Sequence, residues 1–193
     1  MGVNNFQLCQ GEGYYQNGVL LFHQVRYGFT DYFSISAGLF PLVLLEEKPA
    51  LLGLSSKFSY PIIKNRLYIG GSGLLSKATG NGGETFGFYN GSVTYGSIRN
   101  NVTIGIGQLY RDEGWGKACI FIRAHLDPIQ RISLVSETYG RRRRDTWSII
   151  HITGIHFYFK KAMIDLAFLT ISEDEDMTAL PWFSLTFPFG GNQ

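Results

Sequence analysis

The 193-residue chain has no run of about 18 consecutive apolar residues, so it contains no candidate transmembrane helix. Charged residues make up only 17% of the chain, whereas about 25% is usual in soluble domains. There are only two cysteines, Cys9 and Cys119, which lie far apart in sequence and form no Cys-x-x-Cys motif. These shortages argue against a helical membrane protein, an ordinary soluble surface and a cysteine-based metal or disulfide framework.

Other features are also missing. The net charge of +2 is too small to indicate a nucleic-acid partner. The histidines and cysteines have no metal-ligand spacing, and we expect neither a metal nor a cofactor. Residues Met1–Asn5 lack the charged and apolar regions of a signal peptide. Because an exported protein needs such a peptide, we expect the chain to be a trimmed or truncated form.

What the chain does contain is a rhythm of β-like segments. No window has an apolar period of 3.6 residues, and the 24 glycines are spread through every candidate element, which disfavours helices. Apolar-alternating runs restart after short polar turns, and longer polar stretches join their other ends. This pattern predicts one domain, residues 1–193, folded as an all-β antiparallel up-and-down barrel of about twelve strands, with short turns at one rim and longer loops at the other.

The boundaries follow from the same pattern. An even strand count places both chain ends at the rim with the short turns. The predicted strands are about 5–10, 14–28, 32–45, 51–63, 67–78, 84–98, 102–111, 117–126, 132–140, 146–159, 162–171 and 182–189. The predicted short turns are 30–31, 64–66, 99–101, 127–131 and 160–161, and the predicted long loops are 46–50, 79–84, 111–117, 141–145 and 172–181.

Each predicted strand has one apolar face and one small or polar face. Val102, Ile104 and Ile106, for example, alternate with Thr103 and Gly105. In a soluble lipocalin-like barrel, which would bind a small apolar ligand, the apolar face points inward. In a membrane barrel it points to lipid and the polar face lines the lumen.

The aromatic residues favour the membrane alternative. Several of them lie near predicted strand ends, where membrane barrels carry aromatic girdles. They are Tyr27, Phe29, Tyr32, Trp115, Trp147, Phe157, Phe159 and Trp182. We therefore expect a transmembrane barrel in a bacterial outer membrane, in contact with outer-membrane lipid.

Four ionisable residues fall on the polar face and form a predicted lumen charge cluster: Arg123, His125, Glu137 and Asp165. Unpaired charges inside a barrel are costly unless they are solvated or paired. We therefore predict a cross-strand ion pair between Arg123 and Glu137, with Asp165 or His125 close by, that narrows the barrel at mid-height.

Two charged runs lie in predicted long loops of the same rim. The first is Arg141, Arg142, Arg143 and Arg144, a candidate anion-binding site for lipopolysaccharide phosphates or an acidic partner, because guanidinium groups pair bidentately with phosphate oxygens. The second is Glu173–Asp176. The arginine run is alternatively a solvated hairpin tip. The two runs could also neutralise one another, or the acidic run could hold a divalent cation through its carboxylate oxygens, although it lacks the spacing and glycine of an EF-hand.

The run Gly11–Asn17 reads Gly-Glu-Gly-Tyr-Tyr-Gln-Asn, and Tyr27–Ile35 reads Tyr-Gly-Phe-Thr-Asp-Tyr-Phe-Ser-Ile. Here the chain resembles uncharacterised outer-membrane barrel proteins of Bacteroidota, which carry a Gly-Tyr-Tyr-Gln-Asn element followed by Tyr-Gly-x-Thr-Asp-x-Phe-Ser-Ile. The likeness continues in style through 65–73, 95–107 and 131–139, whereas the arginine run departs from it. It implies an outer-membrane barrel and brings no catalytic residues.

Two functions remain open for such a barrel. Small inward residues such as Gly105 and Gly107 leave room for a small channel, whereas Phe121 and Tyr139 would plug it. No long loop is obviously able to fold inside, and a scaffold subunit of an outer-membrane protein complex is the other function. We expect no enzyme activity.

A lipid-modifying hydrolase is a further alternative. Ser133, His125 and Glu137 lie on adjoining strands and contain the residue types of a catalytic triad, but no Gly-x-Ser-x-Gly elbow is present.

Overall fold

The computed structural model is a closed barrel of twelve antiparallel strands, in which β1 pairs with β12 to complete the circle. It describes residues 6–19, 21–41, 50–79, 83–143, 146–173 and 176–190. The strands are β1 Glu12–Gly18, β2 Phe22–Thr30, β3 Phe33–Pro41, β4 Ala50–Ile63, β5 Leu67–Ala78, β6 Thr85–Gly96, β7 Asn100–Arg111, β8 Gly114–Ile129, β9 Ile132–Arg143, β10 Thr146–Tyr158, β11 Met163–Glu173 and β12 Asp176–Gly190. The predicted fold class is confirmed.

Both ends of the barrel sheet lie at one rim, which we call the terminal rim. The strand links at this rim, 31–32, 64–66, 97–99, 130–131 and 159–162, are all short. Asn65 and Arg131 have positive φ angles of 60° and 76°, as tight turns often require. The opposite rim, which we call the loop rim, carries the two longest links, 42–49 and 79–84.

The first predicted strand is wrong. Residues 6–9 have no regular secondary structure, and the predicted segment 14–28 is in fact the hairpin of β1 and β2. The chain turns after Gly18, whose carbonyl accepts a 3.0 Å hydrogen bond from the Leu21 amide, while Val19 has a φ of 51°. Because apolar residues surround this turn, the alternation hides it. The strand count agreed with the prediction because one false strand replaced one missed strand.

Three of the predicted long loops are mostly strand. β8 begins at Gly114, β9 continues to Arg143 and β12 begins at Asp176, so only two residues separate each of these strands from its hairpin partner. The antiparallel ladder runs to Glu173↔Asp176 and to Arg143↔Thr146. The ends of these strands carry charged and polar side chains and therefore lack the apolar alternation from which strands were predicted. They still form strands because backbone pairing does not depend on an apolar face.

The polarity of the barrel is inverted relative to a soluble protein. Among the described residues, 18 buried side chains are polar or charged and only three are apolar. Thr103 is fully buried, whereas its neighbour Ile104 is 56% exposed on the outer surface. The alternation thus places the polar face inside. None of the described residues belongs to a helix that could cross a membrane.

Aromatic side chains surround the outer wall at both ends. Near the terminal rim, Tyr32 and Tyr60 have ring centroids 5.5 Å apart, and near the loop rim Trp115 contacts Tyr89 at 5.7 Å. Trp182 is an exception to the predicted girdle. It pairs in register with Ala167 and lies over Gly18, on the inner face of β12.

Candidate functional site

The lumen at mid-barrel contains the predicted pair Arg123 and Glu137. These residues are direct cross-strand partners on β8 and β9, and both side chains are almost fully buried. The Arg123 Nε lies 3.8 Å from Glu137 Oε2, too far for a hydrogen bond, and Arg123 Nε and Nη1 have no hydrogen-bond partner. The Tyr139 hydroxyl donates to Glu137 Oε1. The guanidinium therefore keeps donors available toward the lumen.

Asp165 belongs to a second polar group, because β10 separates its strand from β9. It accepts hydrogen bonds from the Ser184 hydroxyl and, at 3.3 Å, from Gln16 Nε2. His156 Nδ1 lies 3.6 Å from Asp165 Oδ1. Of the two neighbours predicted for the ion pair, His125 lies two residues from Arg123 on the same face of β8, whereas β10 separates Asp165 from β9.

His125 lies between the two groups. Its Nε2 is 2.9 Å from Asp127 Oδ1, which also accepts a 2.5 Å hydrogen bond from the Ser133 hydroxyl. The imidazole ring of His125 is 6.3 Å from that of His156. Ser133 thus donates to a carboxylate and not to a histidine base. This arrangement does not provide the serine–histidine contact of a catalytic triad.

Two lumenal cations were missed in the sequence. Lys57 is the cross-strand partner of the buried Ser34, and Arg26 lies over the Tyr14 ring at 5.8 Å. Lys57 is close enough to Arg26 and Arg123 to be repelled by both. The signal was present in β4, where Ser55, Lys57 and Ser59 alternate with side chains on the outer wall.

Residues Phe6–Cys9, which we call the inner segment, enter the barrel at the terminal rim. Lys57 Nζ donates a 2.6 Å hydrogen bond to the Phe6 carbonyl, and Gln7 Nε2 donates one of 2.9 Å to the Lys57 carbonyl. The Phe6 ring contacts that of Tyr68 at 4.8 Å. Gly28 is required here, because a Cβ on it would lie 2.5 Å from the Cys9 carbonyl oxygen.

The inner segment is a feature that the sequence did not indicate. It is not one of the long loops but a piece of chain before β1, and it lies inside the barrel. It occupies part of the lumen mouth.

Aromatic rings fill the space that the inner glycines leave. A Cβ on Gly105 would lie 2.3 Å from the Phe121 ring, and one on Gly107 would lie 2.4 Å from the Phe88 ring. The Tyr139 ring is 5.5 Å from Phe121 and 6.3 Å from Phe88. The glycines therefore do not widen the lumen but accommodate rings that narrow it.

The arginine run lies on a strand and not in a loop. Arg141, Arg142 and Arg143 are the last residues of β9, and Arg144 lies outside the described residues. Arg141 is the cross-strand partner of Ser148 on the inner face, so that Arg142 is on the outer face.

In the acidic run, Glu173 accepts a 2.9 Å hydrogen bond from Ser148, and residues 174–175 are not described. Within the described ranges, no three His, Cys, Asp or Glu side chains are grouped to hold a metal ion.

No known family model and no curated protein sequence matches the chain. Its fold is similar to that of solved porins. A KdgM porin in complex with disordered oligogalacturonate superposes with a TM-score of 0.67 at 10% identity, covering 92% of this chain and 99% of that one. Another KdgM porin structure gives 0.64 at 9% identity, with the same coverage. At such identities the likeness establishes a shared barrel fold.

Proposed function

We propose that the protein is a non-enzymatic channel for small solutes in a bacterial outer membrane. The observation that carries this proposal is the inverted polarity of a closed barrel, with polar side chains inside and apolar side chains outside. Only helices and closed barrels satisfy all backbone groups in lipid, and a polar lumen with an apolar outer band is the pattern of outer-membrane barrels. Outer-membrane lipid is then the expected partner of the outer wall, and the exposed Arg142 on that wall is a candidate contact for lipopolysaccharide phosphates.

The lumen chemistry favours small anionic solutes. Arg26, Lys57 and Arg123 project into it, and buried donors of Arg26 and Arg123 have no hydrogen-bond partner. An anion passing them would gain charge-assisted hydrogen bonds. The oligogalacturonate bound by one of the similar porins belongs to the same chemical class. The rings of Phe88, Phe121 and Tyr139 and the inner segment restrict the passage, so we expect a low conductance.

Conductance measurements test this proposal. Purified protein inserted into planar bilayers should give small, discrete current steps, with reversal potentials in a salt gradient that indicate anion preference. A heat-denatured sample, matched in detergent, is the control for leaks. Absence of steps from protein that is correctly inserted would reject the channel.

A scaffold subunit is the second candidate, and one observation favours it. The outer wall has a shallow apolar depression around Gly91 and Gly140, bordered by Ile104, Ile120 and Trp147. Small residues at such a place let another protein approach the backbone closely. Cross-linking in intact membranes distinguishes this role: a scaffold gives a defined complex that is lost with Gly91→Trp, whereas an isolated channel gives none.

A further inference from the structure

The inner wall changes character toward the loop rim. On β10, β11 and β12 a polar inward row in the terminal-rim half of the barrel consists of His156, Asp165 and Ser184. Four residues closer to the loop rim, the same faces carry Ile152, Leu169 and Leu180. We call Ile150, Ile152, Leu169, Ile171, Leu180 and Trp182 the apolar inner wall.

The strand register establishes that these side chains point inward. Glu137 is buried in the lumen and is the cross-strand partner of Ile152. Ile152 is in turn the partner of Leu169, and Leu169 is the partner of Leu180. Cross-strand partners project from the same side of a sheet. In the next row Tyr139 partners Ile150. The apolar residues on the outer wall, such as Leu166, alternate along the strands with the inward residues and point to the opposite face.

This wall departs from the polar interior expected in a membrane barrel. It is also incompletely packed, because Ile150 remains 38% exposed and Leu180 48% exposed. Apolar side chains that line an open cavity are most stable when an apolar molecule covers them. In the proposed outer-membrane location lipid covers the outer wall, but the strands separate it from the inner wall. The wall therefore needs an occupant that enters through the loop rim.

Arg141 supplies a headgroup contact at the upper edge of this wall. It lies two residues beyond Tyr139 on the same face of β9, beside Ser148. Ser148 separates Arg141 from Glu173 in this inward row, and its hydroxyl donates a hydrogen bond to the Glu173 carboxylate. Toward the terminal rim the same strands carry the buried polar layer of His156, Asp165 and Ser184. From Arg141 to Val135, beside that layer, is about 20 Å along the strand, or about 15 Å along the barrel axis after tilt.

We infer that the loop-rim half of the lumen binds a single-chain amphiphile with an anionic headgroup, such as a medium-chain fatty acid. Its acyl chain lies against the apolar inner wall and its carboxylate pairs with the Arg141 guanidinium, which suits planar carboxylates. Because the acyl chain is flexible and narrow, it fills an elongated cavity that a globular ligand would not. This binding does not depend on ion conduction, so a failure of the channel proposal leaves it unaffected.

Tryptophan quenching tests this site directly. The chain has three tryptophans, of which Trp115 and Trp147 are exposed on the outer wall and Trp182 faces the lumen. The double variant Trp115→Phe/Trp147→Phe, reconstituted in phospholipid nanodiscs, reports on Trp182 alone. Titration with 11-bromoundecanoate should quench its fluorescence saturably, and unlabelled dodecanoate should reverse the quenching. Brominated phospholipid should leave Trp182 unquenched in this double variant. In a separate Trp182→Phe variant it should quench Trp115 and Trp147 on the outer wall.

Matched variants test the two contacts separately. Leu169→Gln should weaken binding at least about tenfold, whereas Leu166→Gln, on the outer face of the same strand, should not change it. Arg141→Gln should weaken binding of the acid but not of 11-bromoundecanol, and Arg142→Gln should affect neither. If 11-bromoundecanoate quenches Trp182 without saturation, or if dodecanoate does not reverse the quenching, the site is overturned. This result does not depend on any substitution in the wall. If the protein without wall substitutions binds 11-bromoundecanoate and 11-bromoundecanol equally well, Arg141 does not pair with the carboxylate.

Discussion

The glycines of β7 illustrate how single residues determine the width of this lumen. Gly105 lies beneath the Phe121 ring, and the carbonyl oxygen of Gly91 would be only 2.5 Å from a Cβ placed there. Gly91 itself faces the outer wall, with nothing within 4 Å of such an atom. Two glycines in adjacent strands therefore have different roles. One allows a ring to cross the lumen, and the other leaves a gap in the outer wall.

This difference predicts opposite effects of one methyl group. Gly105→Ala should destabilise the barrel by about 1–3 kcal/mol, because the added atom overpacks against Phe121 and the backbone of β6. Gly91→Ala should be neutral or stabilise by up to about 1 kcal/mol, since alanine restricts the unfolded chain. Urea unfolding in lipid vesicles measures both. Equal stabilities of the two variants would mean that the Phe121 ring does not lie over Gly105.

The charge of Glu137 should control selectivity. Glu137→Gln removes the lumenal negative charge opposite Arg123 and keeps the side-chain shape, so the local field becomes more positive. We expect reversal potentials to shift toward anions and the free energy of unfolding to fall, because Arg123 is then buried without its ion-pair partner. Arg123→Gln should shift selectivity in the opposite direction. A Glu137→Gln channel with unchanged selectivity would place the limiting constriction elsewhere.

At the scale of elements, most strands could be predicted from the sequence, whereas the β1–β2 turn and the inner segment could not. Alternation of period two specifies which face of β7 or β8 is apolar, and this pattern also placed Arg123 and Glu137 on the inner face. The β1–β2 turn was missed because Val19 and Leu21 continue an apolar run through it. The inner segment was missed because its position depends on contacts with Lys57 and Tyr68, about 50 and about 60 residues away in sequence. Local patterns carry no information about such distant contacts.

The inner segment should restrict the channel. Deletion of residues 6–10 removes the Phe6 ring from Tyr68 and the Phe6 carbonyl from the Lys57 ammonium. We expect a higher single-channel conductance and a stronger preference for anions than in the complete chain. Gln7→Ala, which removes one hydrogen bond but leaves the backbone in place, is the milder comparison. If the truncated barrel conducts like the complete chain, the segment does not limit passage.

Cys9, at the end of the inner segment, offers a chemical test of that placement. Burial raises the pKa of its thiol, and the nearby Glu12 carboxylate raises it further. Because the thiolate is the reactive form, maleimide labelling near pH 7 should be slower than for a free model thiol and should catch up as pH rises through the raised pKa. Glu12→Gln should speed labelling near pH 7. The Cys119→Ser background leaves Cys9 as the only thiol. Labelling at the model-thiol rate would mean that the Glu12 carboxylate does not act on the Cys9 thiol.

At the scale of the molecule, closure and polarity act together. A closed sheet leaves no unpaired edge, so every strand pairs on both sides. An inside-out distribution of side chains would leave a soluble barrel covered by apolar residues, with a risk of aggregation. The same distribution in lipid removes that cost. The cost of a charge on the outer wall must then depend on its depth in the bilayer.

This depth dependence gives the most direct test of the membrane assignment. Ile104 and Ile120 project from the outer wall between the two aromatic belts, whereas Ile129 ends β8 at the terminal rim. Arginine at Ile104 or Ile120 should cost about 2–4 kcal/mol if the site lies near the bilayer midplane, and arginine at Ile129 only about 0–1 kcal/mol. Folding titrations into lipid vesicles measure these free energies. A water-exposed outer wall would give small and similar costs at all three positions. In that case the barrel does not span a membrane, because water would solvate each guanidinium equally well.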